Sequence, residues 1–384
     1  MRRAEWGWKA WCASVAWQCT LYNSPMPPLY LMPLLAIAAL LSLATSGLLL
    51  ITGRATPQLA AHVAFALGVL PLILAAMSYF VPVLTRSGAA GLAAWGPPLL
   101  AWTGAALAVF SFASDFSSTG LTLASALAGL AALSLGGWTV NRARQMFGPR
   151  HRGLDWYLAA LAFLLLALLA IMLMPLLPAQ RNALRLFHLH ANLLGFVGLT
   201  ALGTLQVLLP TSLGQADPGA ALRLRRDLKW AAAGALLIAV GASSLLPASA
   251  SQIASALALL GTAMYGWVVV RMLHAWLSLF GNALRQMHSA ASSLTAAALG
   301  LLGLLVLGAA HGSGWLPARP AVTGFVIAFL LPLVSGAAAH LLPIWLRPGS
   351  QGPWHRNLRG RLCRWSGLRG LSLLLLGLAI AALS

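Results

Sequence analysis

The sequence predicts an all-α, polytopic membrane protein whose residues 1–384 form a single transmembrane domain. Of the 384 residues, 60% are hydrophobic and only 8% are charged, a composition that differs from that of soluble globular domains. The apolar residues are grouped in segments of about 20 residues, which is the length that an α-helix needs to span a bilayer. The 24 Lys and Arg residues, against 5 Asp and Glu, lie mostly between these segments.

The first 28 residues are predicted to be a cytoplasmic or interfacial segment. This segment is rich in tryptophan, with Trp6, Trp8, Trp11 and Trp17. Tryptophan favours the headgroup level of a bilayer, so we expect residues 5–20 to form an interfacial helix. No cleavable signal pattern is present, and we expect the chain to insert through its own spans.

About eleven membrane spans are predicted to follow, with twelve as the alternative. The apolar segments lie at about 29–51, 61–84, 97–113, 121–141, 155–177, 187–210, 229–247, 252–274, 288–310, 321–346 and 367–383. The longest connectors have only about 20 residues, so no soluble domain is inserted between spans.

The basic residues predict the orientation of the chain. If the amino terminus is cytoplasmic, twenty Lys and Arg residues lie on the cytoplasmic side, as the positive-inside rule requires. The other side then holds only Arg54, Arg181, Arg185 and Arg319. This places the chain in a bacterial-type inner (plasma) membrane with a periplasmic carboxy terminus. Membrane lipids are the expected partners, and because the positive charge is explained by topology, no nucleic-acid binding is predicted.

Three spans, at 61–84, 187–210 and 321–346, share a pattern that predicts an internal repeat. In each, a small residue precedes a proline by seven residues: Ala75 and Pro82, Gly203 and Pro210, Gly336 and Pro343. The small residue permits close helix packing, and the proline stops or kinks the helix. These are the second, sixth and tenth predicted spans, and all three cross the membrane in the same direction. A unit of four spans that recurs three times predicts three pseudo-repeated four-helix arcs. The alternative is chance, because Gly and Pro are common in membrane helices.

The candidate functional residues are histidines. On the predicted topology, His62, His188, His190 and His311 lie at one depth near the outer face. Successive residues on a helix are about 100° apart, so His188 and His190 point in nearly opposite directions and can serve two different ligands. Imidazole is an axial ligand of haem iron and a ligand of copper, and polar residues within a membrane are commonly functional.

Each of these histidines also has a structural interpretation. His188 and His190 can form a hydrogen-bonded interfacial pair, and His311 can be a solvated loop residue. His340 is expected to be a packing histidine bonded to a carbonyl group. The glycines that follow the pair, Gly195, Gly198 and Gly203, either leave room for a flat macrocycle or let two helices touch. Asn192 lies one turn from His188, where it can support a ligand from behind.

The residues around the histidine pair resemble a helix of haem-copper oxidase subunit I, most closely that of the C-type branch. The matching residues are His188-Leu189-His190, Leu194-Gly195-Phe196-Val197-Gly198, Gly203 and Leu208-Leu209-Pro210. In that superfamily, one histidine of the pair binds a high-spin haem and the other binds a low-spin haem. The low-spin iron takes its second ligand from the second helix, where His62 occupies the matching place. The superfamily fold is also three arcs of four helices.

The chain departs from the oxidases in ways that point to a shorter relative that does not pump protons. The histidine pair lies on span six rather than span ten, and no His-His pair completes a set of copper ligands. The five acidic residues are Glu5, Asp115, Asp155, Asp217 and Asp227. None is at the centre of a span, whereas proton pumping needs buried titratable groups. The chain therefore resembles more closely the haem- and copper-containing membrane proteins of the nitric-oxide stress response.

This resemblance implies a membrane protein that binds haem, of b type and without a covalent link, in which the remaining histidine can hold either a second haem or a copper ion. His62 and one of His188 and His190 would hold the haem, and all three with His311 are the candidate metal ligands. The implied role is nitric-oxide or metal stress handling, or electron transfer with a redox partner or respiratory complex. If the protein is an enzyme, it is an oxidoreductase, although no catalytic residue is predicted. The alternatives without a cofactor are a multi-span transporter or permease and an assembly protein for a respiratory complex.

Overall fold

The computed structural model describes residues 31–114, 117–146, 148–243, 245–316 and 322–383. Every regular element in these ranges is helical, which confirms the all-α prediction. The interfacial helix predicted within residues 1–28 lies outside the described residues.

The helices are numbered here in chain order. They are α1 (Leu31–Ile51), α2 (Pro57–Thr85), α3 (Leu92–Ala113), α4 (Ser118–Gln145), α5 (Gly153–Leu173), α6 (Pro178–Leu213), α7 (Ala220–Gly241), α8 (Ser251–Leu284), α9 (Ala290–Gly312), α10 (Val322–Leu346), α11 (Pro353–Leu362) and α12 (Ser366–Leu383). Short 3₁₀ turns open α3 and α6 and precede α8, at Leu92–Trp95, Pro178–Gln180 and Ala248–Ala250.

The part of the chain that the structure describes contains ten helical stretches long and apolar enough to cross a membrane, with α11 and α12 counted as one. The prediction of a membrane protein with many spans is therefore confirmed. The remaining predicted span, 229–247, falls on α7, which is not among the ten. The first half of α7 carries five charged residues, Arg223, Arg225, Arg226, Asp227 and Lys229. Only the twelve residues 230–241 of α7 are free of charge, fewer than a bilayer core requires, so the count of eleven stays a prediction.

The described residues divide into two compact units. The first contains residues 31–203 and 224–265. Within it, consecutive helices from α1 to α6 pack against one another as neighbours. Its centre is α5, where Trp156 is fully buried and donates its indole N–H to the carbonyl of Leu224 at 2.9 Å. A buried indole N–H needs such a partner, so this bond fixes α5 against α7.

The second unit contains residues 204–223 and 266–383. Here α9, α10 and α12 pack on one another. The hydroxyl groups of Ser293 in α9 and Ser366 in α12 lie 2.8 Å apart and are buried. Gly336 of α10 approaches α9 so closely that a Cβ atom would lie 2.8 Å from the side chain of Leu294. The predicted packing role of this small residue is thus confirmed.

Three helices contain a π-helical segment, in which the backbone holds one extra residue per turn. The segments are Val63–Val69 in α2, Ala191–Gly198 in α6 and Phe325–Leu330 in α10. In each helix an α-helical segment follows and contains the proline of the sequence pattern, at positions 82, 210 and 343. These are the three spans with the shared sequence pattern. Such segments often occur at functional sites. The arrangement in four-helix arcs stays a prediction.

Candidate functional site

His62 lies in the first two turns of α2, close to the start of the helix. The side chain of Thr56 caps this end by accepting the N–H of Leu59 at 3.2 Å, and Pro57 occupies the first turn, where its missing N–H is harmless. The ring nitrogen Nδ1 of His62 lies 2.8 Å from the carbonyl oxygen of Gln58. A carbonyl oxygen can only accept, so Nδ1 carries the proton and Nε2 keeps its lone pair.

His188 lies in α6 and has the same protonation pattern, obtained from a different helix. Its Nδ1 donates to the carbonyl oxygen of Ala167 in α5 at 2.9 Å, so its Nε2 also keeps a lone pair. Histidines that bind metals usually donate the other ring N–H to a carbonyl or carboxylate, which fixes the ring and strengthens the ligand. Both His62 and His188 make this kind of hydrogen bond from Nδ1 to a carbonyl oxygen.

The rings of His62 and His188 are nearly parallel. Their planes differ by 9° and their centroids are 6.4 Å apart. Two imidazoles on opposite sides of one metal ion, with metal–nitrogen bonds of about 2 Å, place their ring centroids about 6.3 Å apart. The spacing is that of two imidazoles that could bind one metal ion, and imidazole nitrogen is a donor that haem iron accepts. The structure thus brings the imidazoles of His62 in α2 and His188 in α6 together, and their role as ligands stays a prediction.

Two further side chains surround the histidine pair. The ring of Phe112 in α3 lies 4.4 Å from that of His62, at 39°. The amide of Asn192 donates to the backbone carbonyl of His188 at 2.9 Å, and its nitrogen lies 3.3 and 3.4 Å from the two ring nitrogens. Because these two distances are nearly equal, the amide does not lie on the lone-pair axis of Nε2. Asn192 therefore lies beside the His188 ring, and its support of a bound ligand stays a prediction.

His190 points away from this pair, because it is two residues further along α6. Its Nδ1 lies 2.8 Å from the carbonyl oxygen of Leu186, one turn earlier. His62 makes the equivalent bond in α2. Each of these two histidines immediately precedes a π-helical segment and lies twenty residues before the proline of its helix, Pro82 or Pro210. His190 is thus the counterpart of His62 in position, whereas His188 is its partner in space.

His311 belongs to the second unit, in the last turn of α9. Its side chain is exposed, and its Nδ1 lies 3.3 Å from the carbonyl oxygen of Leu316 in the following turn. The exposure agrees with the alternative of a solvated residue, but the expected loop is wrong, because α9 extends to Gly312. A ligand role for His311 stays a prediction.

The space beside the three glycines after the histidine pair is occupied by neighbouring side chains and is not left open for a macrocycle. A Cβ atom at Gly195 would overlap the ring of Phe163, and one at Gly198 would overlap the hydroxyl group of Tyr265. At Gly203 a Cβ would lie 2.7 Å from the Cβ of Trp156. The alternative of close helix contact is therefore the correct one at these positions.

Tyr265 and Ala167 were not predicted as part of the site. The Tyr265 side chain is fully buried, and its hydroxyl donates to the carbonyl of Leu194, within the π-helical segment, at 2.9 Å. The signal for Tyr265 was a phenol in the middle of an apolar span. The Ala167 contact had no sequence signal, because it uses only a backbone carbonyl.

The acidic residues of the described chain lie near the start of α5 and before or within the first turns of α7, and they are paired with arginine. Asp155 pairs with Arg150 and Arg152, Asp217 with Arg223, and Asp227 with Arg226. Beside the first cluster, burial and the neighbouring Arg86 lower the pKa of His151, while Asp155 acts in the opposite direction. These ion pairs are structural, since each is local to a basic loop or helix end.

No group of three or more His, Cys, Asp or Glu side chains that could hold a metal ion occurs in the ranges described. The candidate site brings two histidine side chains together, and two imidazoles are among the ligand sets known for haem iron. Comparison with known proteins found no matching family model, no matching curated protein and no matching solved structure.

Proposed function

We propose that this chain is a haem-binding integral membrane protein in which His62 and His188 would hold the haem. The observation that carries the proposal is the pair of parallel imidazoles at 6.4 Å, each with Nδ1 bonded to a backbone carbonyl. Of the two partners left open by the sequence, the contacts favour His188 over His190 for this haem.

A haem held in this way supplies one-electron redox chemistry. The protein residues hold the ligands. The carbonyl groups of Gln58 and Ala167 keep the Nδ1 protons in place, so both Nε2 atoms keep the lone pair that a metal ion would bind. Phe112 excludes water from one side of the His62 ring. The residues contribute no covalent attachment, which fits a b-type haem.

His190 is proposed as a ligand of copper or of a second haem on the opposite side of α6. The supporting observation is that its Nδ1 is bonded to the carbonyl one turn earlier, as in His62. The same correspondence supports the three pseudo-repeated arcs, because the π-helical segments of α2, α6 and α10 recur at equivalent places before a proline.

We further propose that the chain is a relative of the haem-copper oxidase superfamily that does not pump protons. The Asp residues of the described chain are paired with arginine near the start of α5 and before or within the first turns of α7, so those residues offer no acidic proton path across the spans. The proposed role is nitric-oxide or metal stress handling, or electron transfer with a redox partner or respiratory complex. The proposed location is a bacterial-type inner membrane with a cytoplasmic amino terminus, and an enzyme activity would be that of an oxidoreductase.

The competing proposal is a transporter or permease without cofactor, and it has one supporting observation. Helices interrupted by π segments and prolines, as in α2, α6 and α10, also line substrate paths in transporters. An assembly role in a respiratory complex is the other alternative, but no contact favours it. A haem spectrum distinguishes the first proposal from both.

The test is an absorption spectrum of the purified protein, expressed with ample haem, together with elemental analysis for iron and copper. We expect a Soret band at a stoichiometry of one haem or more per chain. The band is expected to be lost or shifted to that of a five-coordinate haem in His62→Ala and His188→Ala, and its axial ligation to persist in His190→Ala and His311→Ala. A wild-type protein without a Soret band and without copper would remove the proposal.

A further inference from the structure

A cavity of about 340 Å³ lies between the start of α3 and the second half of α4, within the first compact unit. Its walls are mostly apolar and include Leu100 of α3 and Leu135 and Trp138 of α4. Gly96 and Ser134 also line it and are exposed, so the cavity is open at the surface of the helices. Its volume lies at the lower end of the range of about 300–1,000 Å³ that small-molecule sites have.

The cavity opens on helices whose outer side chains are apolar. Both α3 and α4 are long and apolar enough to cross a membrane. Leu99 and Leu133, each next in sequence to a lining residue, are 49% and 59% exposed. Lipid chains are as apolar as such leucine side chains, so an apolar molecule in the cavity would enter from the bilayer rather than from water.

A charged group lies directly beside this apolar cavity. Arg142 is one turn after Trp138 on α4, and residues four apart share a face of a helix. The guanidinium carbon of Arg142 lies 5.3 Å from the centre of the Trp138 ring. Its Nη1 donates to the hydroxyl of Ser87 at 2.7 Å and to the carbonyl of Gly88 at 3.0 Å. The loop after α2 therefore holds this guanidinium next to a wall of the cavity.

The positive charge of Arg142 is not neutralised within the described ranges. Ser87 and Gly88 are neutral, and Asp155, the carboxylate at this end, pairs with Arg150 and Arg152. Among the described residues, Arg142 donates from Nη1 alone and is only partly buried. Its Nε and Nη2 atoms are thus accessible, and the planar fork of a guanidinium matches two oxygens of a phosphate group.

We propose that this cavity and Arg142 together bind one anionic phospholipid. The lipid phosphate accepts from Nε and Nη2 of Arg142, and one acyl chain lies in the cavity along Trp138 and Ser134. Arg142 and Ser134 are eight residues apart, about 12 Å along the helix, which the first part of an acyl chain spans. A neutral apolar molecule would not need the guanidinium, and a free anion would not need the cavity.

The experiment measures lipid binding to the purified, full-length protein by native mass spectrometry. Phosphatidylglycerol and phosphatidylcholine with the same acyl chains are titrated separately. We expect phosphatidylglycerol to bind more tightly, because the choline group neutralises the phosphate in the other lipid. Inorganic phosphate, added in a third arm, should not displace bound phosphatidylglycerol, since it has no acyl chain to occupy the cavity.

One pair of variants tests the headgroup contact. Arg142→Gln is expected to weaken phosphatidylglycerol binding about tenfold or more, because charge-assisted hydrogen bonds are lost. The matched control is Arg144→Gln, which removes an exposed arginine from the same helix. Residue 144 points about 200° away from residue 142, so this variant should weaken binding about threefold at most, as expected for a solvated surface charge.

A second pair tests the cavity without changing any charge. Ser134→Phe places a ring in the cavity and should weaken the binding of both lipids. Leu133→Phe is the control, because position 133 is exposed, lies about 100° away around the helix and is not part of the cavity wall. Binding to this control should equal that of the wild type.

Three results would overturn the proposal: equal affinity for both lipids, equal weakening in Arg142→Gln and Arg144→Gln, or binding to Ser134→Phe that equals that of the wild type. If Arg142→Gln does not fold, Arg142→Lys keeps the charge but removes the planar fork. That variant should bind phosphatidylglycerol more weakly, and unchanged binding contradicts the site. The site contains no residue of the proposed haem site, so either proposal can fail alone.

Discussion

Two groups of histidines differ in which ring nitrogen carries the proton. The first group lies near the starts of α2 and α6, and the second lies in the arginine-rich segments around the starts of α5 and α11. At the openings of α2 and α6, His62, His188 and His190 donate from Nδ1 to backbone carbonyls. At the basic ends the direction is reversed: Nδ1 accepts a backbone N–H from Gly153 in His151 and from Gly352 in His355.

This difference separates two uses of the same side chain. A histidine that accepts at Nδ1 caps a turn and carries its proton on Nε2, so Nε2 is not a metal ligand without losing that proton. His355 uses this proton, which it donates to the carbonyl of Arg347 at 2.7 Å. A histidine that donates from Nδ1 keeps a lone pair on Nε2 for a metal. Both groups come from one residue type, and only the hydrogen-bond partner distinguishes them.

The largest expected effect comes from removing one histidine of each group and adding free imidazole. His188→Gly is expected to lose haem ligation, and millimolar imidazole should restore the wild-type spectrum, because free imidazole can occupy the vacated ligand position. His151→Gly is the matched control, and imidazole should leave its spectrum unchanged. Imidazole that restores neither haem content nor spectrum in His188→Gly, while the variant is folded by circular dichroism, would contradict the ligand assignment.

A second prediction concerns the close packing behind the ligand helix. Gly195→Ala adds a methyl group that overlaps the Phe163 ring and should lower the free energy of unfolding by about 1–3 kcal/mol. Haem content should fall as α6 shifts relative to α5. Gly137→Ala is the control, because a Cβ atom there meets nothing within 4 Å. Thermal unfolding followed by the Soret band provides the measurement, and equal behaviour of both variants argues against this contact.

A third prediction removes one hydrogen bond. Tyr265→Phe leaves the carbonyl of Leu194 without its side-chain donor and should cost about 1 kcal/mol of stability, with a small shift of the haem spectrum. Thr262→Val removes a hydroxyl from the same helix that bonds only to Ala258 one turn earlier. The haem spectrum of this control should equal that of the wild type. If the spectrum of Tyr265→Phe is also unchanged, Tyr265 does not influence the histidine site.

The smallest expected effect is a pH dependence of the thermal stability that comes from His151. Burial and Arg86 lower the pKa of His151, so the folded state keeps this ring neutral where the unfolded chain binds a proton. The contribution of His151 is therefore constant above about pH 6.5, the ordinary histidine value, and becomes destabilising as the pH falls below it. His151→Gln should lose less thermal stability than wild type between pH 7.5 and 5.5. A steeper loss in the variant would reverse the sign and refute this explanation.

Much of the fold follows from the sequence because the bilayer fixes the length of an apolar helix. Ten helical stretches of the described residues coincide with predicted spans, and most of their ends differ from the prediction by at most five residues. The exceptions are α6, which begins nine residues earlier, α8, which ends ten residues later, and the last stretch, which begins fourteen residues earlier because it includes α11. The span at 229–247 was harder to judge, because five charged residues stand within the helix that contains it. The π-helical segments could not be predicted, since hydrophobic periodicity does not distinguish one extra residue in a buried turn.

The site was predictable only in part. Spacing along α6 showed that His188 and His190 face opposite sides, and topology placed His62 at the same depth. The choice of His188 as the partner depends on the rotation of α6 about its axis, which apolar residues on all sides leave undetermined. The proton position depends on Ala167, a residue whose side chain carries no chemical signal.

The central claim is that two parallel imidazoles hold one haem, and electron paramagnetic resonance of the oxidised protein tests it most directly. Imidazole planes that differ by 9° predict a rhombic low-spin signal, and the signal should be unchanged in His190→Ala and absent in His62→Ala and His188→Ala. A highly anisotropic low-spin signal typical of perpendicular planes, a wild type without any low-spin signal, or a rhombic low-spin signal that survives in both His62→Ala and His188→Ala would contradict the account.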